Sequence, residues 1–121
     1  MKFLLTGASG FIGGHLCRHL LKTGHTVRAV CSAPERADSL RALAKNATAL
    51  EFVSLEHAAC HNPALWREAC QGVEAVFHLA ARAHRGDKSS PDALAAYRRA
   101  NLETTRALAT AACDAGVGHF I

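Results

Sequence analysis

Three glycines at intervals of three residues follow a short apolar segment near the start of the chain. Residues 6–13 read T-G-A-S-G-F-I-G and lie between apolar residues 3–5 and a helical pattern. Gly7 is expected to let the chain turn out of a strand, Gly10 to leave room for a phosphate, and Gly13 to let the helix pack closely. Amide N–H groups at the helix start, with the helix dipole behind them, favour an anion. The spacing G-x-x-G-x-x-G therefore predicts a loop that holds the pyrophosphate of NAD or NADP, the alternative being a tight turn without a ligand.

Strand and helix patterns alternate along the rest of the chain. We predict strands over residues 2–5, 26–30, 50–53, 74–79 and 119–121. Helices are predicted over residues 10–22, from residue 34 onward, over 63–70 and over 91–115. Such alternation predicts an α/β fold with a parallel sheet and helices on both faces. We expect one domain over residues 1–121, a Rossmann-type doubly wound parallel sheet truncated at the fifth strand, as the N-terminal part of a NAD(P)-binding domain.

Apolar residues at helical spacing identify the sides of the first two helices that face the sheet. Ile12, Leu16 and Leu20 lie four positions apart, and this side is expected to pack inward. Beside these residues on the same side lie Gly13, Cys17 and Leu21. Leu40 and Leu43 give the second helix its apolar side. Both helices are therefore predicted to be amphipathic and to cover the sheet.

The composition is that of a globular protein. Half of the 121 residues are hydrophobic and the net charge is +4, which suits an anionic small ligand. No dense basic run is present, so we expect no nucleic-acid partner. Five scattered cysteines without a C-x-x-C pair indicate reduced thiols. No signal peptide or membrane span is apparent, and the sequence predicts a cytoplasmic protein without a membrane partner.

Two groups of histidines have some of the spacing of metal ligands. His15 and His19 lie four positions apart on the solvated side of the first helix, without a third ligand. His57, Cys60 and His61 fall in a predicted solvated loop. We predict no metal site in either place.

Several segments, in order, resemble a known family. Residues 6–13, 24–30, 72–81, 96–105 and 116–121 resemble the extended short-chain dehydrogenases/reductases, in particular their NAD-dependent epimerase/dehydratase group acting on nucleotide sugars. The resemblance implies an oxidoreductase or isomerase with a nucleotide-sugar substrate in the full-length protein. It also implies a homodimer as one form of the protein, because family members often associate through the long helix and the helix after it.

The family's catalytic Tyr-x-x-x-Lys pair is missing from these residues. The only tyrosine is Tyr97, and the residue four positions later is Asn101. The resemblance implies that the catalytic Tyr, Lys and Ser or Thr lie beyond Ile121, and that Asn101 has a supporting catalytic role. We expect this chain alone to bind a cofactor without turnover. The alternatives are a non-catalytic NAD(P)-binding or redox-sensing module of the same fold, and a truncated chain that is stable only with a partner.

The end of the second strand is expected to distinguish NAD from NADP. An acidic residue there would bind the ribose 2′-hydroxyl, but Cys31 and Ser32 occupy these positions. Arg28 and Arg36 are near in sequence, and Ser32 has a hydroxyl for a 2′-phosphate. The residues slightly favour NADP over NAD.

The remaining cofactor contacts are predicted at the ends of the third and fourth strands. Backbone groups of Leu55 and Glu56 are expected near the adenine, and residues 79–82 near the nicotinamide. His78, just before them, is interpreted as a core or sheet-end histidine. The predicted cofactor-binding residues are Gly7, Ser9, Gly10, Phe11, Ile12, Gly13, Cys31, Ser32, Arg36, Leu55, Glu56, Leu79, Ala80, Ala81 and Arg82.

Overall fold

The computed structural model describes residues 1–32, 38, 40–42, 47–55, 60–83 and 91–121. The strands are β1 (Lys2–Thr6), β2 (Thr26–Cys31), β3 (Leu50–Ser54), β4 (Ala75–His78) and β5 (His119–Phe120). The helices are α1 (Phe11–Lys22), a 3₁₀ turn (Ala47–Ala49), α2 (Pro63–Cys70), α3 (Pro91–Tyr97), a π-helical segment (Arg98–Glu103) and α4 (Thr104–Asp114). The predicted alternation of strands and helices is confirmed.

The five strands form one parallel sheet in the order β3-β2-β1-β4-β5. The connections proceed outward in one direction from β1 to β3, and then in the other direction from β4 to β5. This reversal leaves a crevice at the carboxyl ends of β1 and β4, where open α/β sheets bind ligands. Thr6 of β1 stands beside His78 of β4 at that end.

Two hydrophobic clusters cover opposite faces of the sheet. Leu5 and Val27 belong to the cluster that packs against Cys17 and Leu20 of α1. The other cluster joins β1 and β4 to α2 and α4 and includes the fully buried Leu4, Trp66, Val76 and Leu108. Alternation along each strand sends successive side chains to opposite faces. The doubly wound architecture predicted from the sequence is therefore confirmed.

The buried side of α1 is the predicted one except at Ile12. Its buried residues are Gly13, Cys17 and Leu20, whereas the side chain of Ile12 is 67% exposed. The missing side chain of Gly13 brings that face of the first turn against the loop, and Ile12 is turned outward. The helix is amphipathic as predicted, and Leu16 and Leu21 pack against the same cluster as its buried residues.

The long helix predicted over residues 91–115 forms, but it is not uniform. α3 and α4 are joined without a break by the π-helical segment, whose flanking residues keep helical backbone angles. The N–H of Thr104 bonds the carbonyl of Arg99, five residues back. Such wide turns inside α-helices are often found at functional sites.

The helix predicted from residue 34 falls mostly outside the described residues. Pro34 and Leu43 are among those not described. Leu40 is buried in the cluster shared with α1. The predicted apolar side of this segment is confirmed at that one position.

Candidate cofactor site

The glycine loop between β1 and α1 is shaped by close approaches of backbone to backbone. Gly7 has a φ of +68°, a left-handed conformation that L-residues avoid. The N–H of Gly10 donates to the carbonyl of Gly7 at 2.9 Å. A Cβ on Gly13 would lie 2.0 Å from the carbonyl oxygen of Gly7, so no side chain fits there without a shift of the backbone. The tasks predicted for Gly7 and Gly13 are confirmed.

The start of α1 offers hydrogen-bond donors to the crevice. The first amides of a helix have no intrahelical acceptor. Gly10 caps this helix without a side-chain hydrogen bond, and no acidic residue stands in its first turn. Ser9, Gly10, Phe11 and Ile12 are exposed. The helix dipole and these amides therefore favour an anion in the predicted position.

The residues after β4 lie directly against the glycine loop. A Cβ on Gly7 would meet the backbone of Leu79 and Ala80 at 2.8 Å. The hydroxyl of Thr6, 1% exposed, accepts a hydrogen bond from the N–H of Ala80 at 3.1 Å. The structure thus brings together two segments that the sequence analysis assigned to one site.

Arg82 is attached by its backbone to the π-helical segment. Asn101 accepts from the N–H of Arg82 through Oδ1 at 2.7 Å and donates through Nδ2 to its carbonyl at 3.0 Å. The Arg82 guanidinium lies 5.6 Å from the centre of the Tyr97 ring, within cation–π range. Tyr97 therefore packs beside the site. Asn101 holds the backbone of Arg82 with both of its side-chain polar atoms.

His78 is hydrogen-bonded through both ring nitrogens. Nδ1 lies 2.7 Å from the Thr6 hydroxyl, and Nε2 lies 2.9 Å from the Thr105 hydroxyl. Burial lowers the pKa of His78 below its usual 6.5, which favours the neutral ring. The interpretation of His78 as a satisfied sheet-end histidine is confirmed.

At the end of β2, the structure describes Cys31 and Ser32, two of the residues predicted to distinguish NAD from NADP. Cys31 is buried, its carbonyl accepts from the N–H of Leu55 at 3.4 Å, and Ser32 beside it is exposed. The side chain of Leu55 is buried in the cluster that joins the sheet to α2 and α4, so only backbone groups of Leu55 are left for the predicted adenine contact. Arg36 and Glu56 lie outside the described residues.

Arg28 is committed to contacts away from the crevice. Its Nε donates to Glu51 at 2.8 Å, and its Nη1 donates to the carbonyls of Ala69 at 2.6 Å and Gln71 at 2.8 Å. It stands in the amino-terminal half of β2 and binds the carbonyl end of α2. The expectation that Arg28 lies near the cofactor is therefore not supported by its hydrogen bonds.

The cysteines and histidines of the described ranges show no metal-binding group. No three His, Cys, Asp or Glu side chains come together there. His15 instead packs edge-to-face on Phe11, with ring centres 5.0 Å apart. Burial, with Cys31 adding to it, raises the pKa of the Cys17 thiol to about 11, so this thiol stays protonated. His57 lies outside the described residues.

The sequence analysis missed Thr6 and Thr105 as parts of the site. Thr6 belongs to the predicted pyrophosphate loop over residues 6–13, but the glycine spacing assigns its side chain no role. Thr105 lies one helical turn after Asn101, and that i, i+4 spacing is the signal that pairs the two. Thr6 lies 72 residues before His78 and Thr105 lies 27 residues after it. The hydrogen bonds that join them through His78 are therefore not visible as a local sequence pattern.

Comparison with known proteins identifies the family. Residues 3–121 match the model of the NAD dependent epimerase/dehydratase family. The chain belongs to this family. A Synechocystis sp. protein provisionally named dihydroflavonol 4-reductase is 34% identical over 117 residues, which are 95% of this chain and 30% of the relative. Dihydroflavonol 4-reductase of Hordeum vulgare is 36% identical over 77 residues, 64% of this chain and 22% of that enzyme.

Solved structures agree with this family membership. UDP-glucose-4-epimerase from Stenotrophomonas maltophila, with bound NAD and formylated UDP-arabinopyranose, superposes with a TM-score of 0.82 at 28% identity. The match covers 99% of this chain and 35% of that one. MoeE5 in complex with UDP-glucose and NAD gives a TM-score of 0.75 at 27% identity, covering 99% of this chain and 35% of that one. The chain thus spans about a third or less of each of these four proteins.

Within the part of the chain that the structure describes, no helix has both the length and the apolar character that crossing a bilayer requires.

Proposed function

We propose that this chain is the cofactor-binding portion of an NAD(P)-dependent epimerase, dehydratase or reductase that acts on a nucleotide-sugar-like substrate. The observation that carries the proposal is the contact between the glycine loop and the residues after β4. These two segments meet at the point where the strand order reverses. A dinucleotide spans such a crevice in this architecture.

The loop fits a pyrophosphate because its three glycines have no side chains, so that backbone atoms line it. Cβ atoms on Gly7, Gly10 and Gly13 would press on neighbouring backbone and displace the loop. The first amides of α1, which begins at Phe11 without a side-chain cap, would donate to the pyrophosphate. Leu79, Ala80, Ala81 and Arg82 would flank the nicotinamide end. The bound cofactor would supply a hydride acceptor and donor. The chain's own residues would bind and orient it.

Asn101 is proposed as a positioning residue rather than a group that touches the substrate. Its side chain holds the backbone of Arg82 at both polar atoms. By resemblance, a Tyr and a Lys spaced Y-x-x-x-K would carry the proton transfer, and residues 1–121 contain no such pair. We therefore expect these 121 residues alone to bind cofactor without catalysing turnover.

The preference between NAD and NADP rests on few residues. The slight preference for NADP was based on Ser32, Arg28 and Arg36, and Arg28 is engaged with Glu51 and α2. The two neighbours described above hold NAD in their structures. Ser32, exposed at the end of β2, is the described group best placed to select a 2′-phosphate.

Isothermal calorimetry with NADH and NADPH tests both parts of the proposal. Binding of either cofactor supports it, and no binding of either at millimolar concentration contradicts the cofactor assignment. The variant Ser32→Asp, which adds a carboxylate where a 2′-phosphate would lie, is expected to weaken NADPH binding at least tenfold and to spare NADH. Equal weakening of both cofactors would contradict the role given to Ser32.

A non-catalytic cofactor-sensing module of the same fold is the alternative function. It predicts cofactor binding, but no turnover of any UDP-sugar even in a protein that contains further residues. Reading the coding sequence downstream of residue 121 for Y-x-x-x-K separates the two proposals. A homodimer and a cytoplasmic location stay predictions. For the dimer, Leu94 and Leu102, 52% and 54% exposed on the long helix, offer apolar surface.

A further inference from the structure

The His78 ring has hydrogen-bond partners that determine which of its nitrogens carries the proton. The Thr105 hydroxyl donates its only proton to the carbonyl of Asn101 at 2.5 Å. It must therefore accept from His78, so the proton of a neutral ring is on Nε2. Nδ1 is then bare and accepts the proton of the Thr6 hydroxyl, whose oxygen in turn accepts from Ala80. Each hydrogen in this series of hydrogen bonds therefore has an acceptor.

Three segments of the candidate site are joined through this one ring. Thr6 is the last residue of β1 and immediately precedes Gly7, where the loop turns. Ala80 follows β4 and lies against Gly7. Thr105 and Asn101 belong to adjacent turns of the long helix, and Asn101 holds Arg82. The imidazole thus fixes the glycine loop, the tail of β4 and the π-helical segment relative to one another.

An imidazole suits this place better than any other side chain of its size. A phenyl ring would fill the same volume but would leave the Thr6 hydroxyl, in a site 1% exposed, without an acceptor. A longer amide would reach one of the two threonines. The two nitrogens of a histidine lie on opposite sides of a rigid ring and reach both.

We propose that His78 is a positioning residue of the cofactor site, and that its Nε2-protonated ring sets the spacing between the glycine loop and residues 80–82. The inference rests on the proposed cofactor-binding function for its effect on affinity, but not for its effect on the structure. His78 is not among the predicted cofactor-binding residues, and it acts through the segments that carry them.

The structural part is tested on the unliganded protein by ¹⁵N NMR and amide hydrogen exchange. The His78 ring is expected to show a bare Nδ1 and a protonated Nε2. The variant His78→Phe is expected to speed exchange of the Ala80 and Arg82 amides at least tenfold. The matched control is His25→Phe, because His25 packs against Phe3 at the opposite end of the sheet. It is expected to leave both amides unchanged. A protonated Nδ1 in the native protein, or unchanged exchange in folded His78→Phe, would overturn the proposal.

A milder pair of variants keeps the test valid if His78→Phe does not fold. Thr105→Val removes the hydroxyl at nearly constant shape and is expected to speed exchange of the Arg82 amide. Thr105→Ser retains the hydroxyl and is expected to restore the native rate. Equal rates in the two variants would contradict the relay through Thr105.

Cofactor affinity then separates this inference from the proposed function. If the native protein binds NADH or NADPH, His78→Phe is expected to raise the Kd about tenfold and His25→Phe to leave it unchanged. An unchanged Kd in folded His78→Phe contradicts the positioning role while the proposed function stands. If the native protein binds neither cofactor, the proposed function fails, and the exchange rates alone decide on His78.

Discussion

Two polar networks hold the sheet, one at each end of its strands, and they are built differently. At the carboxyl ends, Thr6, His78 and Thr105 are neutral and form an unbroken series of hydrogen bonds. In the amino-terminal half, Arg28 and Lys2 both bind the carboxylate of Glu51, which is 40% exposed. Among described residues, Nε and Nη1 of Arg28 bind Glu51 and the carbonyl end of α2, whereas the hydrogen bonds of the neutral network do not involve the first amides of α1.

The difference shows why the two ends of this sheet have different uses. The Arg28 side chain is 13% exposed and joins β2 to β3 and to the carbonyl end of α2, so it stabilises this side of the sheet. The imidazole of His78 connects backbone segments that must keep a set distance for a dinucleotide to fit. Thus a charged side chain joins two strands and a helix in the amino-terminal half, and neutral hydrogen bonds set the spacing of the candidate site at the carboxyl ends.

The largest effect is expected from Gly13→Ala, which tests the backbone contact at the carboxyl end. The new Cβ would lie 2.0 Å from the carbonyl oxygen of Gly7, so the loop must move. We expect a loss of about 3 kcal/mol in the free energy of unfolding and loss of cofactor binding. Urea unfolding and calorimetry measure the two.

The neighbouring Gly14→Ala is the matched control. Its Cβ would have no contact closer than 3.7 Å, and alanine should stabilise the helix by about 0.5–1 kcal/mol. Similar losses in the two variants would show that the Gly13 contact does not determine the loop.

Arg28→Met tests the charged network. The change leaves Glu51 without one partner and the carbonyls of Ala69 and Gln71 without their donor. We expect a loss of about 2–3 kcal/mol in the free energy of unfolding with an unchanged ratio of NADH to NADPH affinity. Urea unfolding and calorimetry check both.

Arg67→Gln is the control for Arg28→Met, because the Arg67–Asp114 pair is exposed and 3.8 Å apart. It is expected to change stability by less than about 0.5 kcal/mol. A changed cofactor ratio in Arg28→Met would place Arg28 in the cofactor site after all.

Asn101→Asp tests the attachment of Arg82. The carboxylate still accepts from the Arg82 N–H, but its second oxygen faces the Arg82 carbonyl, where an N–H donated before. We expect a loss of about 1 kcal/mol, checked by urea unfolding, and faster exchange of the Arg82 amide. Native exchange rates would show that the backbone of Arg82 is held by other contacts.

The smallest effect is expected from acid titration, which should weaken the two networks over different pH ranges. Burial lowers the pKa of His78, so on acidification the ring binds a proton in the unfolded protein at a higher pH than in the folded protein. The free energy of unfolding therefore falls as the pH drops below 6.5. The pKa of Glu51 is lowered by its hydrogen bond to Lys2, with Arg28 adding and burial opposing. Its contribution is present above pH 4.5 and is lost as the pH falls through the folded pKa.

Unfolding by urea at pH 7.5, 5.5 and 4 would show the two steps. His78→Phe is expected to remove the loss between pH 7.5 and 5.5, and Glu51→Gln the loss at lower pH. A native-like pH profile in folded His78→Phe would mean that other groups account for the first step.

Much of the fold could be predicted because its signals are local. Glycines at positions 7, 10 and 13 require close backbone approaches within one loop, and apolar periodicity identified all five strands and the helices over 10–22, 63–70 and 91–115. The family followed from the same segments and was confirmed by the match over residues 3–121. The glycine loop and residues 79–82 were predicted to belong to one site, and the structure places Leu79 and Ala80 against Gly7.

Other features depend on contacts that the sequence order does not reveal. The direction of Arg28 is decided by Glu51 and the carbonyl end of α2, which are distant in sequence. The Asn101 side chain likewise binds Arg82, 19 residues before it. The partners of His78 lie 72 residues before it and 27 after it, and they meet because β1 pairs with β4 and the long helix crosses beside them. The sequence by itself determined the glycine cradle and the layered sheet, since spacing and periodicity act along the chain. Only the tertiary structure decided which polar groups are used up in the scaffold and which are left for a cofactor, because hydrogen bonds are made between whatever groups the packing brings together.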